Sequence, residues 1–340
     1  MSRTATEQTQ QSTTVAALDI GYGHTKGVWG RQHLTFPSLV GPAVEVKYHE
    51  KLHGNGRGLT LSFNGQQRFI GAYAAQQAPF TISPRARKRQ PELLQVLTLG
   101  ACYQLGLSGH RLNLVTGLPV RWYQDRERLA ETLAGAYQFS VNGQPQQVEI
   151  ATVKVVPQPF GSLFRVLLNP QGIFVDAERL ANSRVAILDI GTHTTDYAYA
   201  DHLSYVEPKS GSVAVAMARV YELLQRALAE TYNLELDLTA VEEVAREGRV
   251  MHFGEELAIT PIYKEALTAV SEEILAQAAT LWGNGQELAA VLLTGGGARP
   301  LLKHVQQVFP HAQLVPQPQL ANALGFYRYG LRQFPQDGGA

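Results

Sequence analysis

Val15-Ala16-Ala17-Leu18-Asp19-Ile20-Gly21 returns as Val185-Ala186-Ile187-Leu188-Asp189-Ile190-Gly191, six of seven residues identical, with the two aspartates 170 positions apart in a chain of 340. Each copy is an apolar run that ends in Asp-Ile-Gly. An apolar run of this kind reads as a buried strand, which holds its last residue rigidly. The glycine that follows lets backbone N–H groups come close to an anion. Two such turns facing one another would clamp a polyphosphate, with the two aspartates beside a bound cation.

The flanking residues extend the pattern. After Gly21 come Tyr22-Gly23-His24-Thr25-Lys26, a glycine-bracketed turn with a lysine on the returning strand. Lys26 is placed to neutralise phosphate oxygens, and Asp19 to orient water on Mg²⁺, which keeps several waters and takes few carboxylates. After Gly191 come Thr192-His193-Thr194-Thr195-Asp196, a turn rich in hydroxyl and N–H donors for a terminal phosphate. A third element, Leu293-Thr294-Gly295-Gly296-Gly297-Ala298, puts three glycines after an apolar strand and before a helix. There a flat ring can lie against the backbone, near a helix N-terminus that favours anions. Each motif alone also fits an ordinary tight turn. No G-x-x-x-x-G-K-[ST] stretch occurs, so the chain carries no P-loop.

In this order the three elements resemble the actin-like ATPase superfamily of actins, seventy-kilodalton heat-shock proteins and sugar kinases. Asp19 to Lys26 is similar to its first phosphate motif, Asp189 to Thr195 to its second, and Gly295 to Gly297 to its adenosine motif. Val153-Lys154-Val155-Val156-Pro157-Gln158 resembles the first connecting motif of the ParM (StbA) plasmid-segregation family. Asn113 to Pro119 with Trp122-Tyr123 is similar to that family's strand and turn before a subdomain helix. Ala321-Asn322-Ala323-Leu324-Gly325-Phe326-Tyr327 resembles its second connecting helix. The similarity runs from about Val15 to Gly330. Tyr22 stands where actins carry Ser, and Gln158 where actins carry Gln and ParM relatives often carry Glu.

The resemblance implies an α/β fold of actin-like type: duplicated ribonuclease H-like domains with a nucleotide cleft between them. Domain I would span 15–182, completed by 321–333, and domain II 183–320. Residues 1–14 and 334–340 would be loose tails. The implied ligands are ATP, with GTP as the alternative, and Mg²⁺ held through water by Asp19 and Asp189. Gln158, Asp189 and Asp19 would be the catalytic group, with Gln158 orienting the attacking water; a Gln does not act as a general base. Gly21, Tyr22, Gly23, Lys26, Gly191, Thr192, His193, Thr194, Gly295, Gly296 and Gly297 would bind the nucleotide. The implied activity is ATP hydrolysis coupled to filament dynamics, used for plasmid or other DNA segregation. The partners would be other copies of the chain and a separate DNA-binding adaptor. Two rival readings stay open: a monomeric small-molecule kinase, with Asp196 as the nearby acidic base, and an assembly protein that binds nucleotide without turnover.

Composition sets limits consistent with this. The 45% hydrophobic and 17% charged residues are those of a globular protein long enough for two cored domains. Balanced counts of 29 basic and 29 acidic residues argue against a broad nucleic-acid surface. No apolar run reaches membrane-spanning length. Met1 to Thr14 has no apolar signal-peptide core, and the single Cys102 excludes an intramolecular disulfide; both fit a cytoplasmic protein.

Periodicity places strands at Leu59–Phe63 and Gln66–Ile70 around Asn64-Gly65, and a second Asn-Gly turn at Asn142-Gly143. Helices are expected at 91–105, 123–133, 213–232, 238–247, 261–281, 299–308 and 322–332. Gly117-Leu118-Pro119 reads as a strand breaker, and Pro157-Gln158-Pro159 opens a helix through Val166. His49 and His53 lack further ligands for a metal site. Arg85-Ala86-Arg87-Lys88-Arg89 reads as a solvated or filament-contact loop, with contact to DNA or an adaptor as the alternative, and Cys102 as core.

Overall fold

A computed structural model describes residues 13–46, 58–84, 90–175 and 180–334. The expectations for residues 1–12, His49, His53, the basic segment 85–89 and residues 335–340 lie outside the described residues. The first strand begins at Thr13, two residues inside the stretch read as a tail.

Two large sheets carry the architecture. The first has nine strands, in the order Gln32–Pro37, His24–Trp29, Thr13–Ile20, Arg111–Leu118, Gln144–Pro157, Gly135–Val141, Leu59–Phe63, Gln66–Ile70, Val40–Pro42. The second runs Ser204–Tyr205, Thr195–Asp201, Arg184–Ile190, Ala290–Thr294, Ala312–Leu314, with Gly211–Val213 also paired to Thr195–Asp201. The repeated sequence forms the corresponding strand in each. Thr13–Ile20 pairs antiparallel with His24–Trp29 on one side and parallel with Arg111–Leu118 on the other. Arg184–Ile190 pairs antiparallel with Thr195–Asp201 and parallel with Ala290–Thr294. A strand covered on both faces needs apolar residues without alternation, which is what the repeat supplies. From Val15 to Ile20 and from Val185 to Ile190 every residue is buried.

Two helices link the sheets. Phe160–Leu167 lies on the second sheet, with Phe160, Leu163 and Leu167 against Val185, Ile187 and Leu292. Ala321–Gln333 lies on the first, where Phe326 packs with Ala17, Val115 and Val156. The helices cross at Gly161 and Gly325. A Cβ on Gly325 would overlap the Gly161 carbonyl oxygen and lie 2.9 Å from the Arg165 nitrogen. Backbones approach this closely only where neither residue has a side chain. The opposite face of the second sheet is covered by Met217–Tyr232, Thr260–Trp282 and Ala298–Val308. Leu238–Glu247 packs on Leu224 and Leu228; the Ala240 N–H donates to Asp237 Oδ1 at its start, and Gly248 ends it at φ 75°.

Most elements fall where periodicity puts them, and the departures have tertiary causes. Gly117 and Leu118 continue the strand instead of breaking it. A Cβ on Gly117 would overlap the Phe326 ring and lie 3.0 Å from the Gln158 Cα, so this glycine makes room for the final helix. The helix expected from 213 starts at Met217, because Gly211–Val213 is taken by the sheet. The helix expected from 123 starts at Arg126, after the 3₁₀ turn Val120–Asp125. The hairpin Arg249–His252 with Glu255–Ala258 carries no familiar turn dipeptide; Phe253 takes φ 49° at its tip and is 96% exposed.

Candidate functional site

The two repeat strands end in matching turns. Asp19 stands in register with Lys26, and the Gly21 N–H donates to the His24 carbonyl at 3.1 Å. Asp189 stands in register with Asp196, and the Gly191 N–H donates to the Thr194 carbonyl at 2.9 Å. The hydroxyl six residues after each aspartate is tied inward. Thr25 Oγ1 and Ser38 Oγ lie 2.8 Å apart, and Thr195 Oγ1 donates to the Val215 carbonyl at 2.7 Å. The duplication therefore includes the turn backbone and its anchoring, well past the seven matching residues.

The turns meet. A Cβ on Gly23 would overlap Thr192 Oγ1 and lie 2.8 Å from Thr192 Cβ, so the first turn touches the second at a position only glycine allows. Behind the second turn, helix Met217–Tyr232 begins. Its Met217 and Ala218 N–H groups donate to the Gly191 and Thr192 carbonyls at 3.3 and 2.7 Å. The positive end of that helix faces the turn and favours an anion there.

Charge is distributed unequally between the two aspartates. Asp19 is 2% exposed and satisfied on both oxygens. Lys26 Nζ donates to Oδ2 at 3.1 Å and Gln158 Nε2 to Oδ1 at 2.6 Å. Gln158 reaches this point because its N–H donates to the Leu118 carbonyl at 2.7 Å, holding it at the end of the Gln144–Pro157 strand. Its side chain is turned to Asp19 and does not cap helix Phe160–Leu167. In the second copy, the position equivalent to Lys26 holds Asp196. Asp189 accepts instead from Asn322 Nδ2, at 2.7 Å to Oδ2. Burial, and after it the negative charge of Asp19, push the Asp189 carboxyl up to about 6, against the opposing pull of Asn322 and Lys26. Two buried carboxylates that raise the proton affinity of one of them form a point where a cation is favoured. His24 moves the other way: burial and then Lys26 lower its imidazole to about 4, so it is neutral at pH 7 and adds no charge.

The three glycines of 295–297 have different tasks. Gly295 takes φ 86°, donates its N–H to the Pro318 carbonyl at 3.0 Å, and has room for no Cβ, which would lie 2.6 Å from Asp189 Oδ1. A Cβ on Gly297 would lie 2.9 Å from Met217 Cγ. At Gly296 a Cβ would meet no heavy atom within 4 Å, so that residue presents an open backbone face.

These residues fit a magnesium nucleotide. The two carboxylates offer oxygen donors, Lys26 and the helix end offer positive charge for phosphates, and Gly296 offers an open face for a ring. Among the described residues no group of three or more His, Cys, Asp or Glu could hold a metal. Magnesium bound with a nucleotide does not need one, since waters and phosphate oxygens fill its shell.

The sequence-predicted residues thus come together through Gly23 with Thr192, Asp19 with Lys26 and Gln158, and Asp189 with Gly295; Tyr22 and His193 lie half-buried in the two turns. Three further residues, which the sequence does not mark for a role, join the site: Ser162, Thr294 and Asn322. Ser162 Oγ lies 2.7 Å from Thr294 Oγ1 and 2.6 Å from Asn322 Oδ1, all buried. Their signal is a polar side chain set in an apolar run, as in Phe160-Gly161-Ser162-Leu163 and Ala321-Asn322-Ala323. No helix among the described residues is long and apolar enough to cross a membrane.

Comparison with known proteins gives two matches along the chain. Residues 17–161 match the N-terminal domain of actin like proteins, and residues 187–307 the C-terminal domain of the archaeal actin homologue MreB-like family. No curated protein sequence matches significantly. Among solved structures, Ta0583, an archaeal actin homologue, superposes with a TM-score of 0.80 at 20% identity, covering 94% of this chain and 100% of that one. Its complex with ADP does so with a TM-score of 0.78 at 20% identity over the same shares. A subunit of a 15-stranded ParM filament from Clostridium botulinum gives 0.76 at 21% identity, covering 95% of this chain and 100% of that one. At these identities the likeness is one of fold.

Proposed function

We propose, on the premise that this chain belongs to the actin-like proteins and has their two-domain α/β fold, that it binds ATP with Mg²⁺ between its two halves, hydrolyses it, and assembles with itself into filaments that loosen after hydrolysis. The observation that carries this reading is the convergence of Asp19 and Asp189 from two duplicated, touching turns. A structural neighbour has been captured with ADP and another as a filament, which supports nucleotide binding and self-assembly as the activities to test.

The roles follow from the contacts. Lys26 would hold phosphate oxygens while Asp19 keeps its ammonium in place. Asp19 and Asp189 would orient waters on the magnesium ion, whose charge, when bound, offsets that of the phosphates. Gln158 spends its N–H on Asp19, which leaves its Oε1 to accept from a water and hold it in line. Positioning of that kind is most of what a protein contributes to phosphoryl transfer. Ligands contacted from both halves favour a closed cleft, and a subunit surface better formed when closed would couple assembly to nucleotide. The use we propose is segregation of plasmid or other DNA through a separate adaptor, given the balanced charge of the chain. The kinase reading needs a base open to a second substrate; Asp196 is 4% exposed, on a strand paired on both sides.

The test is light scattering of the purified chain with Mg²⁺ and ATP, a slowly hydrolysed analogue, or ADP, followed by electron microscopy of the same samples. Filaments with ATP or the analogue and fewer with ADP are expected. A chain that stays monomeric at tens of micromolar with every nucleotide contradicts the assembly half of the proposal.

A further inference from the structure

Four side chains from four elements form one buried chain of hydrogen bonds. Thr294 ends a strand of the second sheet, Ser162 lies in the first linking helix, Asn322 in the first turn of the second, and Asp189 one residue before the end of the repeat strand. Their exposures are 0%, 0%, 4% and 6%. Asn322 Nδ2 donates to Asp189 Oδ2 at 2.7 Å, and the Ser162 hydroxyl donates to Asn322 Oδ1 across 2.6 Å. Thr294 Oγ1 lies 2.7 Å from Ser162 Oγ and donates to the Pro318 carbonyl at 3.0 Å, which anchors the far end of the chain.

The Asp189 carboxylate, an acceptor, selects which end of the Asn322 amide faces it. Were the amide reversed, its oxygen would stand 2.7 Å from a carboxylate oxygen, and its N–H₂ would face the Ser162 hydroxyl. With Ser162 donating, Oδ1 is held on the serine side and the N–H₂ on the aspartate side. Asp189 Oδ1 is meanwhile fenced by Gly295. The carboxylate plane is thus set by one amide and one glycine, with no lysine in register as Asp19 has.

We propose that Asn322 is the positioning residue for Asp189, and that Ser162 positions Asn322, so that the linking helices fix the orientation in which Asp189 serves a magnesium nucleotide. The proposal rests on the functional reading above. Its consequence is selective: loss of the amide should weaken the part of nucleotide binding that needs magnesium and spare the part that does not. A residue that merely filled space would affect neither part selectively, and an apolar side chain of similar volume would replace it.

The test is calorimetric titration of the full chain with ATP, once with excess Mg²⁺ and once with EDTA, alongside melting of the nucleotide-free protein. In Asn322→Leu, which keeps volume and removes the amide, the tightening brought by Mg²⁺ should shrink at least ~10-fold, with ATP–EDTA affinity within ~2-fold of the parent. Ser162→Ala, a small change within a helix, should shrink the tightening ~3-fold, and adding it to Asn322→Leu should cost nothing more. If Asn322→Leu does not fold, Ser162→Ala carries the test alone. Magnesium tightening at the parental level in Ser162→Ala and Asn322→Leu, or additive losses in the double variant, overturns the proposal. Asp189→Ala is the reference. If it loses the tightening while the other two keep it, the site stands and the positioning claim fails. If it also keeps the tightening, the site itself is wrong, and the positioning claim falls with it.

Discussion

A single methyl group added at Gly296, and separately at Gly295, distinguishes a ligand-bearing surface from a packed turn. At Gly296 the new Cβ meets nothing within 4 Å and the backbone is not in the left-handed region. In the nucleotide-free protein the change should be neutral or stabilising by about 0.5 kcal/mol, through the reduced freedom of the unfolded chain. If a nucleotide ring rests on that open face, the methyl lifts it, and ATP affinity should fall at least ~10-fold, about 1.4 kcal/mol. At Gly295 the same methyl lies 2.6 Å from Asp189 Oδ1 and closer still to the Ile190 carbonyl oxygen, at φ 86°. Left-handed strain and overpacking together amount to about 2–5 kcal/mol. That lowers the melting temperature by roughly 5–15 °C, and binding falls too because Asp189 moves. The assay is scanning calorimetry of both nucleotide-free variants with ATP titration of each. Parental affinity in Gly296→Ala would remove the ring from this face. Destabilisation of Gly296→Ala comparable to Gly295→Ala would show that the turn is packed throughout and that the division of tasks is wrong.

Three further outcomes are expected. Gln158→Ala should slow single-turnover hydrolysis about 10-fold or more with ATP affinity nearly unchanged; equal loss of both, or neither, contradicts its water-holding role. The nucleotide-free protein should conceal two opposing pH effects. Asp189, raised from 3.8 to about 6, adds stability that is complete below its unfolded value and lost as pH rises through 6, whereas His24, lowered from 6.5 to about 4, adds stability present above 6.5 and lost as pH falls toward 4. Each amounts to roughly 3 kcal/mol, so melting temperatures should rise from pH 4 to 6 in Asp189→Asn and fall over the same range in His24→Gln; parallel profiles contradict the assignment. Finally, Gly325→Ala should force the linking helices apart and cost about 3 kcal/mol, while Gly211→Ala, with open space at its Cβ, should melt as the parent does; equal melting of the two contradicts the close crossing.

The parts of the fold that were readable in the sequence are those in which local pattern and tertiary role coincide. Val15 to Leu18 and Val185 to Leu188 are apolar without alternation because both faces of each strand are covered, and the glycines at 21 and 191 close turns of the same shape. The Asn64-Gly65 hairpin and the helix 238–247, with its Asp237 cap and Gly248 stop, carry their own signals. Gly117 shows the limit: as a breaker and as a seat for Phe326 it looks the same until the final helix is in place. The hairpin at Phe253 is unreadable because a phenylalanine occupies a left-handed position that Asn or Gly usually marks. In the site, Asp19, Lys26 and Asp189 stand out through repetition and charge. Ser162, Thr294 and Asn322 do not, because their meaning lies in one another across more than a hundred residues of chain.

The most direct test of the account is the magnesium dependence of ATP binding in the parental chain, Asp19→Ala and Asp189→Ala, measured by equilibrium titration with Mg²⁺ and with EDTA. The parent should bind ATP more tightly with Mg²⁺, and each variant should lose at least ~10-fold of affinity for the magnesium complex, about 1.4 kcal/mol. Parental binding of magnesium–ATP by both variants would contradict the claim that the two duplicated turns close on a shared metal–phosphate group.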